Sequence, residues 1–384
     1  MILPALSPLR RRTSVLNPRT EGIKYAGSKL RMLPHIMKMV CSLDDVYTVL
    51  DAFSGSTRVS QALYQSGRYA VTSNDIAVWS EVFATCYLQA PRREAYYRQL
   101  IDRLNALPGH EGWFTLHYAP HDDGTPDEEM RKYPFQRKNT MRLDSIRECI
   151  AEWRAAGTID VPTERVLLAS LILALDVVDS TIGHFSSYLK RWSARSYRDL
   201  TLRLPRLCYN ECWPAASVCR SNVFDLHGEW DLAYLDPPYG SANVKMPSSR
   251  VRYAAYYHLW KSVVLNDQPT LFGAAGRRED SRDGISASVF EDFHMGTSGR
   301  LKAIEAIERL VQQVKARYIL LSYNSSGGRV TREEIQQMLS ENGTLMDVMA
   351  VDYAHHNMAN MFRTRKWCCA DRGHQEYLFL LRKE

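Results

Sequence analysis

The chain has 384 residues, enough for one large domain with an insertion or for two domains. Apolar residues make up 45% and charged residues 24%, which excludes a collagen-like chain, a disordered tail protein and a disulfide-stapled mini-protein. Lys and Arg outnumber Asp and Glu by 49 to 43, a formal charge of +6 that suits a nucleic-acid partner without requiring one.

Residues 1–20 carry Arg10, Arg11, Arg12 and Arg19 and no acid. They read as a basic arm, either solvated or in contact with phosphates. Its apolar residues are broken by Pro4 and Pro8 and precede the charges, so no signal peptide is expected. Lys24-Tyr25-Ala26-Gly27-Ser28-Lys29 follows, then Leu30, Leu33, Ile36, Met37 and Val40 at helical spacing. A glycine turn that opens a helix offers backbone N–H groups to an anion. Val46–Leu50 is a short apolar strand running into the small-residue loop Asp51–Thr57, and Val59, Ala62 and Leu63 continue as a helix. Tyr69–Ser73 is a second strand ending in Asn74-Asp75. This is the unit with which open α/β sheets hold a nucleoside: the loop approaches the ligand and the acid bonds the ribose hydroxyls. No GxGxxG is present, so a dinucleotide is not indicated.

From about 91 to 215 charges, aromatics and turn residues mix, with a polar stretch at His121–Glu129. One helix, about 164–178, is apolar enough to be core. Its run Val166–Leu175 falls short of the roughly 20 residues of a membrane span. Between His184 and Arg206 stand six Lys/Arg and one acid, Asp199, among aromatics and hydroxyls. That mixture suits either a phosphate-backbone surface or a solvated basic face. The expected compartment is the cytoplasm, with the eight cysteines mostly reduced. Cys208, Cys212 and Cys219 lack a CxxC pair and a fourth ligand; they read as small buried apolar side chains, and no metal is expected.

Asp231–Leu235 is a buried strand that leads straight into Asp236-Pro237-Pro238-Tyr239. Beyond it the pattern predicts an amphipathic helix over Leu301–Ala316, a strand over Tyr318–Ser322, a capping box at Thr331 and Glu334, and strands at about 345–353 and 376–382. Two prolines make Asp236–Tyr239 a rigid turn at the end of a strand, where α/β sheets place their sites. The turn can do chemistry on a nucleobase amine, whose lone pair is delocalised into the ring. Two acceptors aimed at the amine, the Asp236 carboxylate and the Pro237 carbonyl, would free that lone pair. The Tyr239 ring would stack on the extruded base, a contact worth about 1–3 kcal/mol.

At these residues the chain resembles the DNA adenine-N6 methyltransferases, in the alpha-ordered group that includes the Dam-type enzymes. Tyr25-Ala-Gly-Ser-Lys29 resembles that family's N-terminal cofactor motif, Asp51-Ala-Phe53-Ser-Gly55 its FxG loop, Asn74-Asp75 its ribose-binding acid and Asp236–Tyr239 its catalytic tetrapeptide. Asp179–His184 with Tyr188-Leu-Lys190, Tyr257-His258-Leu259 and Leu321-Ser-Tyr-Asn324-Ser extend the likeness over most of residues 22–384. The resemblance implies an α/β fold, a Rossmann-like S-adenosylmethionine-dependent methyltransferase sheet with a reversed last hairpin and an inserted, largely helical target-recognition region. It divides the chain into a basic arm (1–20), a catalytic domain (21–90 and 220–384) and the recognition region (91–219). S-adenosylmethionine is the implied donor, contacted by Tyr25, Gly27, Lys29, Asp51, Phe53, Gly55, Asp75 and Asp236. Asp236, Pro237 and Tyr239 would hold an adenine flipped out of duplex DNA. Lys190, Arg191, Arg195 and Arg198, with 363–366 and Arg372, would hold phosphates. The implied partner is duplex DNA carrying a specific adenine-containing site, with a companion restriction endonuclease as a further expectation and no membrane partner. Two departures stand out: Thr57 replaces the second glycine of FxGxG, and Tyr256 stands where the family often has Asn. Rival readings are methylation of cytosine N4, of adenine in ribosomal RNA or of a protein glutamine, and a silent nucleic-acid binder.

Overall fold

The computed structural model describes residues 18–121, 133–239, 252–324, 330–353 and 374–384. Seven strands form the main sheet: β1 (Thr48–Asp51), β2 (Ala70–Asn74), β3 (Ser217–Cys219), β4 (Trp230–Leu235), β5 (Ala316–Asn324), β6 (Thr344–Tyr353) and β7 (His374–Arg382). Their spatial order is β3-β2-β1-β4-β5-β7-β6. The first five run parallel, with Leu50 opposite Thr72 and Ala233 and with Ala233 opposite Ile319. β7 inserts antiparallel between β5 and β6, placing Leu321 opposite Phe379, so the expected reversed hairpin is present. The order changes direction between β1 and β4, and the loops that follow those strands open a crevice at their carboxyl ends.

Side-chain alternation along the central strands divides the core between two faces. Val49, Leu232, Tyr234, Leu320 and Leu378 face one side, where α1 (Leu33–Cys41), α2 (Arg58–Gln65) and α3 (Val78–Leu88) pack. Leu50, Ala233, Leu235, Ile319, Leu321 and Phe379 face the other, under α8 (Lys302–Gln313) and α9 (Arg332–Ser340). The middle of the chain adds α4 (Glu94–Asn105), α5 (Arg137–Ala155), α6 (Val161–Val178) and, after β4, α7 (His258–Leu265), all with residues in the first core. The apolar helix α6 packs on α3 and starts at Asp160, whose carboxylate accepts from Thr163 N at 2.9 Å. The chain rejoins the sheet at β3, so sheet structure begins at Ser217, just inside the expected end of the inserted region. The predicted capping box is formed at Thr331 and Glu334.

Three local readings are corrected. Leu30 is 48% exposed in a short 3₁₀ turn, and the helix begins at Leu33. Pro34 sets that boundary, because it has no N–H to give to a preceding turn. The Gly27 turn offers less than a free anion site, since Ala26 N already donates to Tyr257 Oη at 2.7 Å and Ser28 N to Tyr25 O at 3.2 Å. Cys212 is exposed and Cys208 and Cys219 only partly buried, so they are not core side chains. Among the described residues no cluster is placed to hold a metal and no helix is long and apolar enough to cross a membrane. Arg10–Arg12, residues 122–129 of the polar stretch, 363–366 and Arg372 lie outside the described residues.

Candidate active site

The crevice at the ends of β1, β2 and β4 is a cleft of about 870 Å³ lined by Tyr25, Lys29, Asp51, Phe53, Asp75 and Asp236 among others. The four motif segments therefore converge, although they lie as far apart in sequence as residues 25 and 239. Each is delivered by a turn. Gly27 has φ +78° and Gly55 φ +46°, both left-handed. A Cβ on Gly55 would sit 2.8 Å from Tyr25 Oη, so only glycine lets the loop and the ring approach.

The β1 loop is fixed to β2. Asp75 Oδ2 accepts from Gly55 N and Oδ1 from Ala77 N, both at 2.8 Å, and each oxygen keeps a lone pair for a ligand. The α3 N-cap is Ala77, so Asp75 is no helix cap. Asn74 ties this corner to the loop after β3, donating to Ala52 O at 3.1 Å and accepting from Ser221 N at 3.1 Å. Thr57 resolves one departure from the family pattern. It has φ +61° and is fully buried, taking up the backbone conformation a glycine would use. That strain, of order 1–3 kcal/mol, is opposed by its hydroxyl, which donates to Ser56 O at 2.8 Å and accepts from Gln61 Nε2 at 3.0 Å.

Aromatic rings wall the cleft. Tyr25 stacks on Tyr257 at 5.0 Å and lies 5.4 Å from Tyr253 and 5.6 Å from Trp79. Opposite, Phe53 meets Phe290 edge-on at 5.4 Å, and Phe290 stacks on Phe224. Trp79, Phe224, Tyr253 and Phe290 were not singled out from sequence, because lone aromatics in mixed segments carry no periodic signal.

The charged centre lies beside Asp236. Lys29, only 6% exposed, places Nζ 2.9 Å from Asp236 Oδ1 and 2.7 Å from Glu376 Oε1, and donates to Tyr239 Oη at 2.7 Å. Burial pushes Asp236 up to about 7; Lys29 opposes that shift and Glu376 adds to it. Burial also lifts Asp51 to about 7. Asp51 lines the cleft; its Oδ2 accepts from Ser60 Oγ at 2.6 Å, while its Oδ1 is buried without a hydrogen-bond partner. His258, in the family-like Tyr-His-Leu segment, is buried with Nε2 3.1 Å from Phe185 O and is held down to about 3, so it stays neutral. Tyr256 stacks on His184 at 4.2 Å, which gives this second departure a packing role. Glu376 was missed from sequence, although a single acid ahead of the apolar run Tyr377–Leu381 was a usable signal.

The basic segment divides. Lys190, Arg191 and Arg198 are exposed. Arg195, grouped with them by sequence, turns inward instead: its guanidinium pairs with the Asp179 carboxylate, and Nε donates to Asp179 O at 2.8 Å. Asp179 also accepts from Lys24 Nζ at 2.9 Å, so this buried acid draws Arg195 away from the surface. Gly55→Ala should cost about 1–3 kcal/mol of stability and displace Tyr25, lowering nucleoside affinity at least about ten-fold. Melting curves and calorimetric titration check this; unchanged affinity would contradict the cradle.

The sequence model of the D12 class N6 adenine-specific DNA methyltransferases matches residues 25–325. Modification methylase StsI of Streptococcus sanguinis is 25% identical over 360 residues, 90% of this chain and 50% of that protein. Modification methylase LlaI of Lactococcus lactis is 27% identical over 79% of this chain and 46% of its own length. Type II methyltransferase M.NlaIII of Neisseria lactamica is 27% identical over 79% of this chain and 84% of its own. The chain thus spans about half the length of the first two and most of the third. With motif order, sheet order and cleft in agreement, the chain belongs to the D12 class of N6 adenine-specific DNA methyltransferases.

Proposed function

We propose that the protein transfers a methyl group from S-adenosylmethionine to adenine N6 at a specific site in duplex DNA, as the modification half of a restriction-modification system. The observation that carries this reading is the convergence of Asp236, Lys29 and Asp75 in one cleft. The cleft fits the cofactor: Gly55 lets its loop close against the Tyr25 ring that walls the cleft, and Asp51 Oδ1 is a buried oxygen without a hydrogen-bond partner. Asp75 would hold the ribose hydroxyls, Tyr25 and Phe53 would enclose the cofactor, and Gly27 lets the Lys24–Lys29 turn reach the same cleft. When bound, S-adenosylmethionine supplies a methyl group made electrophilic by its sulfonium.

Asp236 and the Pro237 carbonyl would accept from the adenine amine and so free its lone pair. Tyr239 stacks on the flipped base. Burial pushes Asp236 up to about 7, which would make its carboxylate basic enough to take the proton the amine sheds. Residues 91–216 form the target-recognition region in this reading, residues 1–20 a basic arm, and Lys190, Arg191 and Arg198 meet backbone phosphates. Arg195 supports that surface from within. A companion endonuclease would cut the same site when it is unmethylated.

Incubation with S-adenosylmethionine labelled in its methyl group tests the reading against duplex DNA, ribosomal RNA and a bacterial protein extract. Label is expected in DNA alone. Label in RNA or protein, or tight cofactor binding with no transfer at all, would overturn it.

A further inference from the structure

We propose that Glu376 is a positioning residue for Asp236: by sharing the Lys29 ammonium, it keeps the Asp236 carboxylate from being consumed in a one-to-one ion pair. The assignment rests on the reading of the cleft as a methyltransferase site. An ammonium has three N–H donors, and Lys29 has three partners in reach, Asp236 at 2.9 Å, Glu376 at 2.7 Å and Tyr239 at 2.7 Å. One cation thus stands between two carboxylates, and the group carries a net charge of −1. Lys29 and the Glu376 side chain are 6% and 4% exposed, so water screens these charges little. Glu376 comes from the antiparallel strand β7 and does not line the cleft, whereas Lys29 and Asp236 do. Its Oε1 also accepts from Ser322 Oγ at 2.7 Å, which fixes it behind Lys29.

The consequence is chemical. A neutral Lys29–Asp236 pair would offer a base amine a carboxylate already satisfied by a cation. With Glu376 taking part of the ammonium, Asp236 keeps acceptor strength while Lys29 still orients both Asp236 and Tyr239.

The test is Glu376→Gln, which keeps shape and removes charge. Single-turnover methyl transfer should fall about ten- to hundred-fold, while affinity for S-adenosylhomocysteine stays within about two-fold. A second readout needs no activity. In cofactor-free protein, acylation of Lys29 followed by mass spectrometry should run about ten-fold faster in the variant, because an ammonium with one fewer counter-anion gives up its proton more readily to leave the reactive amine. Unchanged transfer and unchanged acylation would overturn the proposal; so would transfer and cofactor affinity falling together, which would mark a merely structural role. If Glu376→Gln does not fold, Ser322→Ala removes only the anchor. It should lower transfer in the same direction by less, with cofactor affinity held, and an unchanged rate there would overturn the proposal. If the parent transfers no methyl to DNA, the functional reading fails, and the acylation rate still decides the role of Glu376.

Discussion

Asp236→Ala is expected to lower single-turnover methyl transfer by at least about 10²–10³-fold, the usual cost of removing one preorganised group from a reacting centre. The loss should appear in the chemical step. Asp236 stands at the carboxyl end of β4 on a turn held by two prolines, so its oxygens need no reorganisation to meet the amine. Stability should change little, because Lys29 keeps Glu376 as a partner at 2.7 Å. Affinity for S-adenosylhomocysteine should fall less than about ten-fold, since in the proposed reading Asp75, Tyr25 and Phe53 would still hold it. Asp236→Asn should be nearly as inactive, as an amide lacks the basicity to take the proton. The parent should work faster as pH rises from 6 to 8, because the ionised carboxylate is required and burial holds it at about 7. For stability the sign is opposite. A carboxyl raised above its ordinary value of 3.8 stabilises the folded state at low pH, and that contribution is lost as pH climbs through about 7. Rapid-quench kinetics and calorimetry on the same preparations check both variants. A variant retaining more than about a tenth of the parent rate would contradict the assignment.

Lys29→Met should be the most destabilising change in the cleft. It leaves Asp236 and Glu376 buried with no cation between them. Breaking a buried ion pair from one side typically costs about 3–5 kcal/mol. For a chain of this size that corresponds to a fall in Tm of roughly 4–6 °C. Asp236, which burial already pushes up to about 7, must then hold a proton, and methyl transfer should be lost with it. The penalty should shrink toward pH 5, where Asp236 is protonated, and grow toward pH 8. Lys29→Met with Glu376→Gln should recover part of the stability and none of the activity, because Tyr239 still lacks its donor and Asp236 its cation. Differential scanning calorimetry across that pH range reads the result. A Tm within about 2 °C of the parent at pH 8 would show that the triad stores no such charge balance.

The parallel half of the sheet was legible because each strand is an apolar run that ends in a named polar turn. Asp51, Asp75 and Asp236 all close such runs, and all three reach the cleft. Helix α5 was not legible. Its buried face carries Asn139, Thr140, Asp144, Ser145 and Arg147, which erases the apolar period. Those residues do internal work instead. Asp144 accepts from Phe114 N and Thr115 N, and Arg147 donates to Val263 O and Val264 O at the end of α7. Arg195 and Glu376 were obscured for a related reason. Their partners, Asp179 and Lys29, are set by tertiary approach rather than by spacing. The left-handed backbone of Thr57 had no sequence sign beyond the missing glycine itself.

The most direct test of the central claim is mass spectrometry of nucleosides from duplex DNA treated with the protein and deuteromethyl-labelled S-adenosylmethionine, with Asp236→Ala in parallel. The account predicts labelled N6-methyladenine with the parent and none above background with the variant. Label in N4-methylcytosine, or equal labelling by the variant, would contradict it.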